Sequence, residues 1–394
     1  MQLDILTVGW ERCRVFMEEA DYRGYDPYDA LLSPVWNLPI LRSWRLARRL
    51  GQQLLLRCPV NCRALLRISP GQNPVTLGLA LEGYVSAWEA FPERRCLWEE
   101  RIQYCIAQLF QLRSPGWDAA WGYDFPWEAR RMSLPARAPT IVATGIVTQG
   151  LFRAAVVLGD TQAGSLCKRA AEELLQRFPR SYEDGECLCW AYSPVDNQRV
   201  LNATLMGARL CAHAYALGGG AKFAQHARRS VRFALMHQHV DGSFPYAVGD
   251  DPRRWVDHFH TGYVLECLRE YARFVGDETI SEPLCRGWNY YRRSLFTSDG
   301  LPRFSSRRTY PLDATACAQA IRALCRFGEI AAAERVARWA VEHLQHPDGS
   351  FAYRRYRFWI HRTVFMRWSV AWMFAALAEL LRSRAESGPH EGLD

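Results

Sequence analysis

The densest concentration of reactive side chains in this 394-residue chain is Trp255-Val-Asp-His-Phe-His260-Thr-Gly-Tyr, where Asp257, His258 and His260 bring a carboxylate and two imidazoles together within four residues. Histidine titrates closest to neutrality of all side chains, so an imidazole supported by a carboxylate is a ready general base. The same residues also have a structural use, since Asp257 can cap a helix and either imidazole can bond to backbone. Two further carboxylates stand in matching contexts, Ser193-Pro-Val-Asp196 and Tyr310-Pro-Leu-Asp313. A pair of such groups across a pocket suits glycoside hydrolysis, retaining at a separation of ~5 to 5.5 Å and inverting at ~6.5 to 9.5 Å. Asp257, His258, His260, Tyr310 and Asp313 are therefore the candidate catalytic residues.

Around them the sequence supplies Trp121, Tyr123, Trp127, Asp196, Asn202, Arg367 and Trp368 as candidate binding residues. Aromatic faces beside amides, carboxylates and guanidinium groups match sugars, whose rings have apolar C–H faces and polar rims; the competing use of the aromatics is to seal a core. Arg367 can grip a substrate carboxylate in bidentate fashion or pair with a site aspartate. Five arginines and no acid between Tyr353 and Arg367 add a positive field that favours an anionic saccharide. Zinc is the alternative use of Asp257, His258 and His260, but Cys187-Leu-Cys189 lacks the second cysteine pair of a structural site, so neither metal nor other cofactor is expected.

These residues sit in a repeat. Glycine and aromatic turns recur at Gly116, Gly185, Gly242, Gly300 and Gly349, separated by 69, 57, 58 and 49 residues, the length of two helices and their connections. Between them, segments such as 313–327 and 369–381 are small or apolar all round, as in a buried helix, whereas 331–345 carries one apolar stripe and a wet face. The spacing predicts inner helices at 77–92, 140–158, 201–216, 259–275, 313–327 and 367–383. Outer partners are expected at 95–111, 162–178, 221–238, 279–295 and 330–345, with a helix at 40–56 to complete the ring. The fold expected is an all-α (α/α)6 toroid occupying residues 1–383 as one domain, with an N-terminal extension over 1–39 and a frayed tail from 384. Each aromatic turn leaves an outer helix and enters an inner one, so all should meet at one rim.

Composition is that of an ordinary globular protein, 49% hydrophobic and 23% charged. The net charge of +8 is dispersed and almost all arginine, without the basic blocks of a nucleic-acid binder. The N-terminus meets charged residues too early for a signal peptide, and no ~18-residue apolar run is expected to span a membrane. Thirteen cysteines, several inside helical segments, suit free thiols in a reducing cytoplasm.

The run Ser193-Pro-Val-Asp-Asn-Gln-Arg-Val-Leu-Asn202, together with Asp241-Gly-Ser-Phe-Pro-Tyr, Asp257-His-Phe-His-Thr-Gly-Tyr, Tyr310-Pro-Leu-Asp, Met366-Arg-Trp-Ser and Gly24-Tyr-Asp-Pro-Tyr-Asp, resembles a family of six-hairpin glycosidase-like proteins of bacterial and archaeal surface polysaccharide biosynthesis. It is more distantly similar to the helical domain of glucuronyl C5-epimerases. The resemblance implies a saccharide substrate, anionic or lipid-linked, and leaves C5 proton abstraction and hydrolysis open. A non-catalytic glycan or polyprenyl-linked-intermediate binder is the alternative outside enzymology. Terpenoid cyclisation is another, but the acidic motifs it needs are absent.

Overall fold

A computed structural model describes residues 4–387. Its helices are α1 (Ile5–Glu19), α2 (Pro39–Ser43), α3 (Arg45–Arg57), α4 (Pro74–Ala90), α5 (Arg95–Gln111), α6 (Ile141–Leu158), α7 (Thr161–Arg177), α8 (Leu201–Ala216), α9 (Ala221–Leu235), α10 (His258–Val275), α11 (Ser281–Ser294), α12 (Ala314–Arg326), α13 (Ile330–Leu344) and α14 (Ala371–Ser387). Even-numbered helices from α4 to α14 form an inner ring. Each packs on the next and α14 packs on α4, which closes the ring into the expected (α/α)6 toroid. Strands are confined to two- and three-stranded ribbons in the connections.

Burial follows the patterning. In α4 every residue from Pro74 to Ala87 is buried, as an inner helix packed on several sides requires. In α9 burial is restricted to one stripe through Phe223, Ala227, Val231 and Ala234. Ends are set by local chemistry: Thr140 caps α6 by accepting from the Ala143 N–H, and the helix stops at Gly159 with φ +71°. α6, although interrupted by Gln149 and Arg153, is long and apolar enough on average to cross a membrane; here it lies in the inner ring, largely buried.

The sixth outer helix is α1, not the 40–56 segment. Two repeats of the same turn demonstrate it. After α9, the Gln238 amide donates to the carbonyls of Gly242 and of Pro283 in α11, and a Cβ on Gly242 (φ +92°) would lie 2.3 Å from Arg286 O. After α13, Gln345 donates to Gly349 and to Gly9 in α1, and a Cβ on Gly349 (φ +93°) would lie 2.2 Å from Arg12 O. α1 therefore stands to the second turn as α11 stands to the first. It buries Leu6, Trp10, Cys13 and Met17 against α13 and α14, so the N-terminal segment belongs to the ring. α3 lies outside it, beside the ribbon Trp127–Glu128. At the other terminus α14 continues to Ser387; the remainder of the expected frayed tail lies outside the described residues.

Polar groups from all six inner helices meet inside the ring. Arg326 of α12 reaches Glu82 (2.8 Å), Glu266 (2.8 Å), Glu270 (3.1 Å) and Glu379 (2.7 Å), on α4, α10 and α14. Arg322 adds a 2.8 Å bond to Glu82, while Gln149 of α6 and His213 of α8 both bond to Glu270, at 3.0 and 2.6 Å. Burial opposes ionisation of the carboxyls, yet the two guanidinium groups hold Glu82 and Glu379 below their ordinary range, Glu379 at about 2.

Candidate active site

Where the inner helices begin, a cavity of about 390 Å³ opens at one end of the toroid. α8 contributes Asn202, α10 contributes Phe259, His260 and Tyr263, and the π-helical turn leading into α14 contributes Arg367 and Trp368. Connections between hairpins add Tyr28, Tyr123, Trp127, Tyr192, Tyr246 and Trp255. Their rings brace one another: Trp127 meets the edges of Tyr123 and Tyr192 at 6.0 and 5.9 Å, and Trp255 stacks on Tyr246 at 5.0 Å. The result is an aromatic wall around the cavity whose rings hold one another in place.

Asp257 and His260 form a dyad through helix capping. One Asp257 oxygen accepts from the His260 backbone N–H at 2.8 Å, the usual N-cap bond, and the other accepts from His260 Nδ1 at 2.7 Å. Because a carboxylate only accepts, Nδ1 is the donor, and in the neutral imidazole that leaves Nε2 as the acceptor. Burial alone would raise the Asp257 carboxyl, but His260 and its backbone bond hold it below its ordinary value. The edge of Tyr246, 4.7 Å away, fixes the imidazole from the side.

Arg367 is committed. Its guanidinium makes a buried bidentate pair with Asp26, at 2.5 and 2.9 Å, and lies over the rings of Tyr123 and Trp368 at 4.9 and 5.1 Å. It therefore positions the aromatic wall, and its fork is taken up. Asp124 lies nearby, where burial and then repulsion by Asp26 push it up to about 6 against a hydrogen bond from Asn73. The cations lining the cavity without an ion pair among the described residues are Arg49 and Arg130. Asn202 faces the cavity with its side-chain oxygen buried and unpartnered, a group left for a ligand to satisfy.

The structure gathers Tyr123, Trp127, Asn202, His260, Arg367 and Trp368 around one cavity, with Asp257 behind His260. Five other candidates are elsewhere. His258 is fully buried, donating through Nδ1 to Leu295 O at 3.0 Å and accepting at Nε2 from the Tyr291 hydroxyl at 2.7 Å. Two residues of offset on a helix turn a side chain by about 200°, so His258 and His260 face nearly opposite ways. Trp121 is sealed in the core with its indole N–H on Leu109 O. Asp196 closes its own turn, accepting from Ser193 and from the Tyr192 and Gln198 N–H groups. Asp313 caps α12 and pairs with Arg354, while Tyr310 is partly exposed outside the cavity lining. No three His, Cys, Asp or Glu side chains among the described residues converge to hold a metal ion.

Residues unseen in the sequence include Tyr28 and Asp26, which reach the rim from the N-terminal segment, and Arg49 and Gln53, which reach it from α3. Gly24-Tyr-Asp-Pro-Tyr-Asp held the signal for the first two, since turn-rich aromatic and acidic runs mark the other rim segments as well.

Fold and cavity together define an (α/α)6 six-hairpin toroid with its pocket at the inner-helix N-termini. Neither a protein-family model nor a curated protein matches the sequence. Solved structures do match in fold. Cellobiose 2-epimerase from Bacillus thermoamylovorans is 8% identical with a TM-score of 0.62, over 79% of this chain and 87% of that one. Unsaturated glucuronyl hydrolase from Bacillus sp. GL1 is 13% identical with a TM-score of 0.60, over 96% and 94%. An α-mannanase from Bacteroides thetaiotaomicron is 10% identical with a TM-score of 0.56, over 78% and 86%.

Proposed function

We propose that the protein is a carbohydrate-active enzyme that moves a proton at a carbon beside a carbonyl or carboxylate of an anionic saccharide, with His260 as the base. The observation that carries this reading is the Asp257–His260 dyad, which ties up Nδ1 and leaves His260 among the aromatic faces that line the cavity. Asp257 orients the imidazole and stabilises the cation that forms when Nε2 takes the proton. The Arg49 and Arg130 guanidinium groups are suited to the charge that builds on oxygen, and the free Asn202 oxygen is suited to accept from a sugar hydroxyl. Hydrolysis is the weaker reading. Asp196 and Asp313 are consumed by structural bonds, and Glu128, the carboxylate that does line the cavity, is tied to Arg45 at 2.7 Å and to Ser133 at 2.8 Å. The toroid fold, shared with enzymes whose names specify sugar epimerisation and glycoside hydrolysis, favours a saccharide over other ligands.

The test is incubation with uronate oligosaccharides and reducing disaccharides in deuterated water, followed by mass and NMR analysis. Deuterium on a ring carbon, lost in His260→Gln, is expected. New reducing ends without deuterium would overturn the proton-transfer reading, and binding without any product would overturn the enzymatic one.

A further inference from the structure

Of the twenty-two large apolar side chains exposed among the described residues, ten fall between Val35 and Leu66. On α3 they form a stripe. Leu46, Leu50 and Leu54 recur every four residues on the face opposite buried Gln52 and Leu55, and Leu54 is 72% exposed. Ile40, at 77%, and Trp44 extend the patch along the chain, and Leu66 lies beside Leu54 at its edge. An apolar groove of about 280 Å³ opens on the same shoulder, between α3 and the turn at Pro34–Asn37, lined by Val35, Trp36, Leu54 and Leu66. Monomeric soluble proteins rarely leave such a contiguous surface to water.

The charge around it is one-sided. From Asp29 to Glu82 there is no acidic residue, and seven arginines intervene. Arg45 and Arg48 pair with Glu128 and Arg63 with Asp29, whereas Arg42, Arg57 and Arg67 are exposed and without ion pairs among the described residues. A twofold contact between copies would set this arginine cluster against itself. An anionic bilayer satisfies both features, since it takes the leucines into its headgroup boundary and the guanidinium groups onto its phosphates.

We propose that this shoulder seats the protein on an anionic lipid surface. The adjacent face of α3 carries Arg49 and Gln53 into the lining of the cavity, so docking holds the pocket mouth beside the membrane, where a saccharide carried on a lipid would be in reach. That last step rests on the saccharide reading of the pocket; the docking itself does not.

The experiment is flotation of the full chain with vesicles of phosphatidylcholine alone and of phosphatidylcholine mixed with phosphatidylglycerol. Wild type is compared with Leu50→Glu/Leu54→Glu and Arg42→Gln/Arg57→Gln, all at exposed positions, and light scattering is run in parallel. Binding to the mixed vesicles is expected, weakening with salt and falling about tenfold or more in either double variant at unchanged thermal unfolding. Absence of binding, equal binding by the leucine variant, or a wild-type dimer that the leucine variant dissociates would each overturn the proposal. Proton exchange into soluble saccharides is read separately, so a chain that exchanges deuterium but ignores vesicles loses this proposal alone.

Discussion

Replacing Arg326 by methionine removes the guanidinium that links four buried carboxylates, from Glu82, Glu266, Glu270 and Glu379. Arg322 remains, but it lies at bonding distance only from Glu82 and is 3.7 Å from Glu266 and Glu379. Removing one partner of a buried pair costs ~3 to 5 kcal/mol, because the other is left charged in a poor solvent. Two carboxylates, on Glu266 and Glu379, lose their closest cation together, so a loss of about 5 kcal/mol is expected at pH 7.5, a large share of the ~5 to 15 kcal/mol by which domains are stable. The sign of the pH dependence is the sharper test. In the wild type Glu379 sits at about 2, below its unfolded value of 4.5, so its contribution is complete above 4.5 and is lost as pH falls toward 2. In the variant the stranded carboxyls titrate above 4.5, so acidification from 7.5 toward 5.5 should relieve part of the loss. Urea unfolding followed by tryptophan fluorescence at the two pH values measures both. A loss under about 1 kcal/mol, or one that grows on acidification over that range, would refute the view that this plug is held by its buried ion pairs.

Other outcomes follow from the site. Asp257→Asn keeps a capping side chain but offers an amide N–H to Nδ1, which moves the imidazole proton to Nε2; deuterium exchange should fall ~10²- to 10⁴-fold with melting nearly unchanged. Asp257→Ala should lose the same activity and also ~1 kcal/mol of stability, read by urea unfolding. Burial holds His258 neutral, with its pKa pushed down to about 4 from 6.5, so stability should fall as pH drops from about 6.5 to about 4, by on the order of 3 kcal/mol, and this slope should be missing in a His258→Gln variant. Asp313→Asn leaves the α12 cap but breaks the pair with Arg354; it should lower the denaturation midpoint while leaving turnover within about threefold, and a loss of turnover comparable to that of His260→Gln would restore Asp313 to catalysis.

Helix periodicity made most of the ring legible: α8 spans 201–216 and α5 spans 95–111, the ranges expected from the repeat spacing and apolar pattern. The closing helix was missed because α3 has the arginine and leucine alternation of an outer helix, and amphipathic pattern alone does not say whether the apolar stripe meets protein or something else. α1 carried its own signal, with Leu6, Gly9, Trp10, Cys13 and Met17 at helical spacing. The site was legible as a place but not side chain by side chain. Asp196 and Asp313 look alike in sequence to a catalytic pair, yet each is spent on backbone N–H groups of the turn or cap that carries it, a partnership only coordinates reveal. The plug left a trace too: Arg322 and Glu379 interrupt largely apolar helices, and charges in such settings demand partners.

Ring closure and chemistry draw on the same atoms. Asp257 ends its preceding turn in extended backbone, which is what allows one carboxylate oxygen to cap α10 while the other reaches His260 one turn in. A two-residue slip of this inner helix would put His260 where His258 now sits, in the core against Tyr291. Below the cavity floor the plug acts on the same wall from beneath: the Arg322 guanidinium lies 5.4 Å from the ring of Trp372, which lines the cavity and meets Phe259 beside His260. A toroid assembled from apolar helices alone could slide one hairpin against the next, as uniform surfaces pack in many registers. Polar and charged groups that must meet across all six inner helices favour one register, and that register is the one in which the dyad, the aromatic wall and Asn202 share a mouth.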